Sequence, residues 1–257
     1  SDLIDLSLVA ILELVRKMDD NKASAICEAL LTIDFPLNYP YETNKTLLLT
    51  ALETGKVNLA KTILTKQIGK KITDYEIDPE SCLIEAVVNE YDDIVKLLLD
   101  ANVSPEIMNH GRPLIHDTVE HKNNVTRNAL LEKNSNLSLL TDQMGNTFLH
   151  RAALTNQPNS IKVGVEEFKI DVNTKNKLGL TPLLLLIEKE SNDFKENFQY
   201  LVQKGADVSI INKKQKNILH LCVENNNLKA LKALIGSRKN DSEVLLTKEQ
   251  ISTLLNE

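Results

Sequence analysis

The chain has 257 residues with 30 basic and 36 acidic side chains, and its formal net charge of −6 argues against a basic protein that binds nucleic acid. Aromatic residues make up 4% and tryptophan is absent, which disfavours an aromatic platform for stacking bases or sugars. The longest apolar run, Leu183 to Ile187, is too short to cross a membrane, and no secretory signal is visible. Because the chain begins without methionine, we expect a processed protein or a piece of a longer one.

The three cysteines are far apart in the sequence and occupy apolar positions of predicted helices. They are Cys27, Cys82 and Cys222. This scatter is typical of a reducing compartment and not of a disulfide framework. We therefore expect buried free thiols in a cytoplasmic protein, with a nuclear location as the alternative.

Two helices are predicted within the first 40 residues. Apolar residues recur at helical spacing over residues 3–18, and a second such segment covers residues 23–33. Neither segment carries the motif that recurs in the rest of the chain. We interpret residues 1–40 as a helix pair that caps the N-terminal end of a repeat array.

A six-residue motif, Thr-x-Leu-His-x-Ala, then recurs along the chain. Its clearest copies begin at Thr147 and Asn217, and the copy at Thr181 keeps Thr-Pro-Leu but loses the histidine. Degenerate copies begin at Thr46, Ser81 and Arg112. The spacings between successive copies are 35, 31, 35, 34 and 36 residues. We number the copies repeats 1 to 6.

Each copy is followed by a helix, a short polar break and a second helix. In repeat 6 the break is Asn225 to Asn227, and the apolar residues after it recur every three or four positions. A polar connection then leads to the next copy. One helix pair cannot bury both of its apolar faces, so stacked neighbours are needed.

The motif and its period resemble the ankyrin-repeat family, which carries Thr-Pro-Leu-His-x-Ala in a repeat of about 33 residues. The resemblance implies an all-α solenoid of stacked antiparallel helix pairs with short finger turns. We predict one array over residues 1–257, with repeats in 41–240 and a C-terminal capping helix in 241–257. That last helix should begin at Thr247, with Glu249 and Gln250 forming a capping box.

Repeat 3 is irregular and can be aligned in two ways, because either Ile115 or His116 can take the histidine position of the motif. The first alignment places Asp117 where a small apolar residue belongs. Repeat 4 is expected to carry an insertion near Gln157, Pro158 and Asn159.

No catalytic or metal-binding arrangement is evident. The motif histidines His150 and His220 are expected to join neighbouring turns by hydrogen bonds, as the resemblance implies. A second set, His110, His116 and His121, lacks the spacing and the fourth ligand of a zinc site. Gly-rich phosphate loops are also absent. We predict no enzyme activity, no cofactor and no metal.

Two charge features leave alternatives open. Residues 45–71 hold six basic residues against one acidic, and residues 72–100 hold nine acidic against one basic. These blocks are either solvated surfaces that attract each other or a docking surface. Similarly, Lys213, Lys214 and Lys216 indicate a solvated turn or, alternatively, a nuclear-import or phosphate-binding patch.

The resemblance also implies where a partner would bind: the finger tips, and the inner-helix residues seven and eight positions after the start of each motif. Three apolar residues at the first of these positions, Val88, Val119 and Leu154, predict a central groove. The predicted partner-binding residues are Val88, Asn89, Met108, His110, Val119, Glu120, Met144, Leu154, Thr155 and Leu178.

The function that follows is a non-catalytic protein-binding module of a larger adaptor, scaffold or effector. Its partner is another protein, and further domains of the same polypeptide can accompany it. The alternatives are a substrate-recognition region of an enzyme whose catalytic domain lies elsewhere, or an inhibitor that occludes a partner's site. No nucleic acid and no membrane span are expected.

Overall fold

The computed structural model describes residues 10–11, 13–14, 17–32, 46–66, 78–121, 124–236 and 244–256. The chain divides into two units, and each is treated by itself below. The first unit comprises Ser1–Asn109 and His121–Ser135, and the second comprises His110–Glu120 and Asn136–Glu257. Most of the predicted N-terminal helix of residues 3–18, the ends of the basic block and the start of the acidic block lie outside the described residues.

The described part of the first unit consists of helices and one short strand segment, β1 (Met108–Asn109). The helices are α1 (Asp20–Leu31), α2 (Leu47–Glu53), α3 (Val57–Lys66), α4 (Pro79–Val88), α5 (Asp92–Asp100) and α6 (Val125–Lys133). We call the helix after each motif the inner helix and its partner the outer helix. The inner helices α2 and α4 pack against each other, and so do the outer helices α3 and α5.

The second unit begins with the strand segment β2 (Arg112–Pro113) and is otherwise helical in its described part. Two 3-10 helices span Leu114–Glu120 and Ser135–Leu139. The α-helices are α7 (Phe148–Leu154), α8 (Pro158–Glu166), α9 (Pro182–Leu185), α10 (Phe194–Gln203), α11 (Ile218–Glu224), α12 (Leu228–Ile235) and α13 (Lys248–Asn256). The predicted all-α fold of paired helices is confirmed.

In repeats 1 and 4 the first motif residue caps the inner helix. The hydroxyl of Thr147 accepts a hydrogen bond from the His150 amide at 3.4 Å, and that of Thr46 accepts from the Leu49 amide at 3.2 Å. These bonds satisfy amides that have no partner within the helix. The last helix begins in the same way, because Gln250 donates its amide to Thr247 Oγ1 and returns a bond to the Thr247 amide.

The turn between inner and outer helix has one geometry in repeats 1, 2, 4 and 6. The inner helix ends in a residue with positive φ, as at Gly55 and Asn156, and the next amide reaches back to the helix. These bonds are 2.8 Å from Lys56 to the Ala51 carbonyl and 2.9 Å from Gln157 to Ala152. The turn of repeat 4 has the same length as those of repeats 1, 2 and 6, so the insertion expected near Gln157 is wrong.

Repeat 3 takes the second of its two alignments. The inner 3-10 helix ends at Glu120, and His116 Nε2 donates to the Leu140 carbonyl at 3.2 Å, as a motif histidine should. The motif therefore starts at Pro113, one residue later than Arg112. Asp117 then leaves the small position, and its largely buried carboxylate pairs with Arg112 at 2.9 Å, while the small position falls to the fully buried Thr118.

The motif histidines differ in their surroundings. His150 is fully buried, its Nδ1 accepts from the Thr147 amide at 3.2 Å, and its Nε2 donates to Leu180 of repeat 5 at 3.1 Å. His220 keeps only the first of these bonds, from the Asn217 amide at 3.4 Å, and its ring is exposed. His150 therefore joins neighbouring turns as expected. His220 does not, because no further finger follows repeat 6 in the described residues.

The cysteines lie in the helix packing as free thiols. Burial raises the pKa of Cys27, Cys82 and Cys222 to about 12. A thiol with so high a pKa is a poor nucleophile near neutral pH. These side chains therefore act as small apolar residues of the core.

Replacing the two motif histidines should have unequal effects. His150→Ala removes a buried ring and leaves the Leu180 carbonyl without its donor, so we expect the free energy of unfolding to fall by about 1–3 kcal/mol. His220→Ala should cost about 0.5 kcal/mol or less because its ring is exposed. Urea denaturation measures both, and equal losses would show that His150 does not join repeats 4 and 5.

His116 should make stability depend on pH. Its Nδ1 is buried without a partner in the described residues, and burial lowers the pKa to about 4. The unfolded ring titrates near 6.5, so the unfolded state takes up the proton first and stability falls as pH drops from about 6.5 towards 4. His116→Gln should flatten this dependence in urea denaturation at a series of pH values. His220→Gln is the control and should keep the wild-type slope.

Candidate functional site

Each finger of the second unit is a tight turn closed by one side chain. Asp142 Oδ1 accepts from the Asn146 amide at 2.8 Å, and Asn176 Oδ1 accepts from the Leu180 amide at 3.0 Å. The same residue also donates its backbone amide across the turn. The Asn176 amide, for example, donates to the Leu180 carbonyl at 2.9 Å. The sequence folds locally in this way because short polar side chains bond readily to the backbone two to four residues on.

Successive fingers are joined by backbone hydrogen bonds. The Lys177 amide donates to the Met144 carbonyl at 2.9 Å, and the Lys213 amide donates to the Leu178 carbonyl at 3.0 Å. The spacing is so close that a Cβ at Gly179, where φ is +77°, would lie 2.9 Å from the Lys213 nitrogen. The first finger is joined in a similar way, because the Gln143 amide donates to the Gly111 carbonyl at 3.3 Å. Four tip residues therefore lie on successive joined fingers: His110, Met144, Leu178 and Lys214. We call these four residues the tip row.

The centre of the tip row is apolar and open to solvent. The side chains of Met144 and Leu178 are 44% and 45% exposed, and His110 and Lys214 at the two ends are also exposed. The bonded fingers hold the backbone under these side chains, so little conformational freedom remains to be lost there on binding. Three predicted partner-binding residues, His110, Met144 and Leu178, thus share one surface.

The inner-helix positions of the second unit require a correction. Val119 is only 1% exposed, so its expected place in an apolar groove is wrong. With the motif of repeat 3 starting at Pro113, position seven is Glu120, which is exposed and pairs with Arg151 at 3.1 Å. A charged pair therefore stands where the sequence predicted the middle of a continuous apolar stripe.

Leu154 and Thr155 lie at the end of the next inner helix and are half-buried. Thr155 Oγ1 donates to the Arg151 carbonyl at 3.0 Å, so its hydroxyl is used within its own helix. Leu154 can add apolar contact beside the Glu120–Arg151 pair, whereas Thr155 offers mainly its methyl group.

The remaining predicted residues belong to the first unit. Val88 and Met108 are exposed apolar side chains, and Asn89 donates to Glu85 Oε2 at 3.0 Å. Their assignment to a partner surface stays a prediction. Isolated exposed apolar residues are common on protein surfaces and need no partner to explain them.

The charge blocks of the first unit attract each other where they are described. Lys61 of the basic block pairs with Asp93 of the acidic block at 3.0 Å, and Lys61 lowers the pKa of that carboxyl group. Lys56 donates to the Met18 carbonyl at 2.6 Å. These contacts favour the interpretation as neighbouring solvated surfaces.

Among the described residues, no group of His, Cys, Asp and Glu is placed to hold a metal ion. Within the same part of the chain, no helix is both long and apolar enough to cross a membrane.

Comparison with known proteins finds similarity over part of the chain. Residues 163–244 match the family model described as ankyrin repeats, in three copies. Over 65 residues, 25% of the chain, the sequence is 46% identical to alpha-latrocrustotoxin-Lt1a of Latrodectus tredecimguttatus. Over 84 residues, 32% of the chain, it is 34% identical to ankyrin repeat domain-containing protein 53 of Mus musculus. The matched regions cover only 4% and 17% of these relatives.

Proposed function

Because this chain contains ankyrin repeats, which generally bind other proteins, we propose that it is the partner-binding part of a larger adaptor, scaffold or effector and has no catalytic role of its own. We propose an intracellular location in a reducing compartment, which the buried free thiols support. The observation that carries the proposed function is the tip row, with two exposed apolar side chains on fingers joined by backbone hydrogen bonds.

The tip row has the composition of a small binding centre with a polar border. Met144 and Leu178 supply the apolar centre, and His110 and Lys214 supply hydrogen-bond donors and charge at its ends. Residues at the centre of an interface contribute most when water is excluded from them, while the border mainly keeps water out. The Glu120–Arg151 pair and Leu154 extend this surface onto the inner helices.

Charge placed in the tip row should weaken partner binding without unfolding the protein. We expect Met144→Glu combined with Leu178→Glu to weaken affinity by about 30-fold or more, since burying an unpaired carboxylate costs about 2 kcal/mol or more. Thermal unfolding should be nearly unchanged because both positions are on the surface. Partners are captured from an extract of the source organism, identified by mass spectrometry, and titrated by calorimetry.

Leu139→Glu is the matched control. Leu139 is an exposed apolar residue of the same unit that lies outside the tip row, so its replacement should leave affinity unchanged. If the tip-row variant folds and still binds the captured partner as tightly as the wild type, the partner surface lies elsewhere. Val88→Glu then tests the exposed residues of the first unit in the same titration.

A further inference from the structure

A lysine side chain lies beside the first apolar residue of the tip row, Met144. Gly145 follows Met144 in the chain, and a Cβ placed on Gly145 would lie 3.4 Å from Lys177 Cγ of the next finger. The Lys177 ammonium group donates to the Gln143 carbonyl at 2.8 Å. The lysine therefore reaches the residues on both sides of Met144, and two of its three ammonium donors remain for a partner.

The same arrangement recurs one finger later, at Leu178. Gly179 follows Leu178, and a Cβ placed on Gly179 would lie 3.2 Å from Lys213 Cγ. Lys213 is exposed, and its ammonium group pairs with no carboxylate of the described residues. Each of the two apolar tip residues is thus followed by a glycine that leaves space for a lysine stem from the next finger.

These fingers are basic, although the formal net charge of the whole chain is −6. The fingers of residues 140–146, 173–180 and 209–216 contain five lysines and one carboxylate: Lys175, Lys177, Lys213, Lys214, Lys216 and Asp142. Asp142 is bonded within its own turn, and Lys216 pairs with Glu224 at 2.6 Å. The other four lysines give the fingers their excess positive charge.

The chemistry around the tip row fits a protein segment better than a nucleic acid. Met144 and Leu178 place exposed aliphatic side chains beside the lysines. The three fingers carry no aromatic residue on which a base could stack. Acidic side chains interspersed with apolar ones would match both the charge and the apolar surface.

On the premise that the tip row is the partner surface, which is itself the proposed function, we propose that the partner presents an acidic segment. Its apolar side chains contact Met144 and Leu178, and its Asp or Glu side chains pair with Lys177 and Lys213. One segment can make both contacts because the lysine stems pass beside the apolar tips. Binding therefore depends on both kinds of side chain in the segment.

The test titrates the 257-residue protein into three fluorescein-labelled peptides and follows fluorescence anisotropy. The first peptide, of about 14 residues, has a pair of leucines three residues apart among glutamates, because three extended residues span about 10 Å, close to the spacing of stacked helices. The second peptide has serines in place of the leucines. The third has lysines in place of the glutamates.

The peptide with both leucines and glutamates should bind about tenfold more tightly than either of the other two at low salt. Raising the salt from about 50 to about 300 mM should weaken its binding by about threefold or more, because exposed ion pairs are screened. These comparisons use the wild-type protein, so they do not depend on whether a variant folds.

Two matched charge reversals locate the binding. Lys177→Glu with Lys213→Glu should weaken binding of the acidic peptide by about tenfold or more and favour the lysine peptide instead. Lys229→Glu with Lys232→Glu changes the net charge equally on α12, where both side chains are exposed, and should bind as the wild type does. Melting temperatures should stay near that of the wild type, because all four side chains are on the surface.

Four results would overturn the proposal. The acidic peptide could bind no more tightly than the serine or lysine peptide, or its binding could be unchanged by the finger reversal. A fluorescein-labelled oligothymidine of the same length could bind more tightly, which would assign the surface to nucleic acid. Light scattering could show a wild-type dimer that the finger reversal dissociates, which would assign the surface to a second copy.

The captured partner separates this proposal from the proposed function. If Met144→Glu with Leu178→Glu weakens that partner and Lys177→Glu with Lys213→Glu does not, the tip row is the partner surface and the acidic class is wrong. If neither change weakens it, the tip row is not the partner surface and both proposals are wrong. Weakening by both changes, but not by Lys229→Glu with Lys232→Glu, is the expected result.

Discussion

Within each unit the inner helices of neighbouring repeats pack against each other, as α2 does with α4 and α7 with α9, and the stacking depends on that contact. An inner helix of seven residues, such as α7, cannot bury a face alone. Ala153 and Ile187 are fully buried, and α7, which carries Ala153, packs against the next inner helix α9. Each repeat therefore needs a neighbour to bury its apolar face, and the stability of the stack depends on the interfaces between neighbouring repeats.

Hydrogen bonds between neighbouring repeats also orient the stacked repeats relative to each other. His150 ties its own cap, Thr147, to the carbonyl of Leu180 in repeat 5, and Asn156 donates to the Leu186 carbonyl at 3.1 Å. Buried polar groups of this kind are stabilising only when all their partners are present. The fingers are aligned as a consequence, which places the tip row in register and leaves its apolar side chains exposed.

The same dependence explains why the end of the array differs from its middle. Val223 and His220 have the residue types that other repeats bury, but both are exposed in repeat 6, which is followed in the described residues by the single helix α13. A stacked repeat that lacks a full cover keeps an apolar surface towards water.

The sequence by itself determined the helix pairs, their caps and the turns between them. Those features depend on residues close in the chain: a threonine that caps, an apolar period of three or four, and a residue that tolerates positive φ. The finger positions of His110, Met144 and Leu178 followed from the same local pattern. The 3-10 helix of repeat 3 has no such local signal, and its one-residue register was left open.

The tertiary structure alone decided which of these residues are covered. Val119 and Val88 look alike in sequence, yet the first is buried and the second is exposed, because one residue of register moves a side chain by about 100° around a helix. His150 and His220 share a motif position, yet only His150 has a following finger whose carbonyl its ring can reach. Local sequence fixes the direction of a side chain within its helix, but burial depends on what the rest of the chain places opposite it.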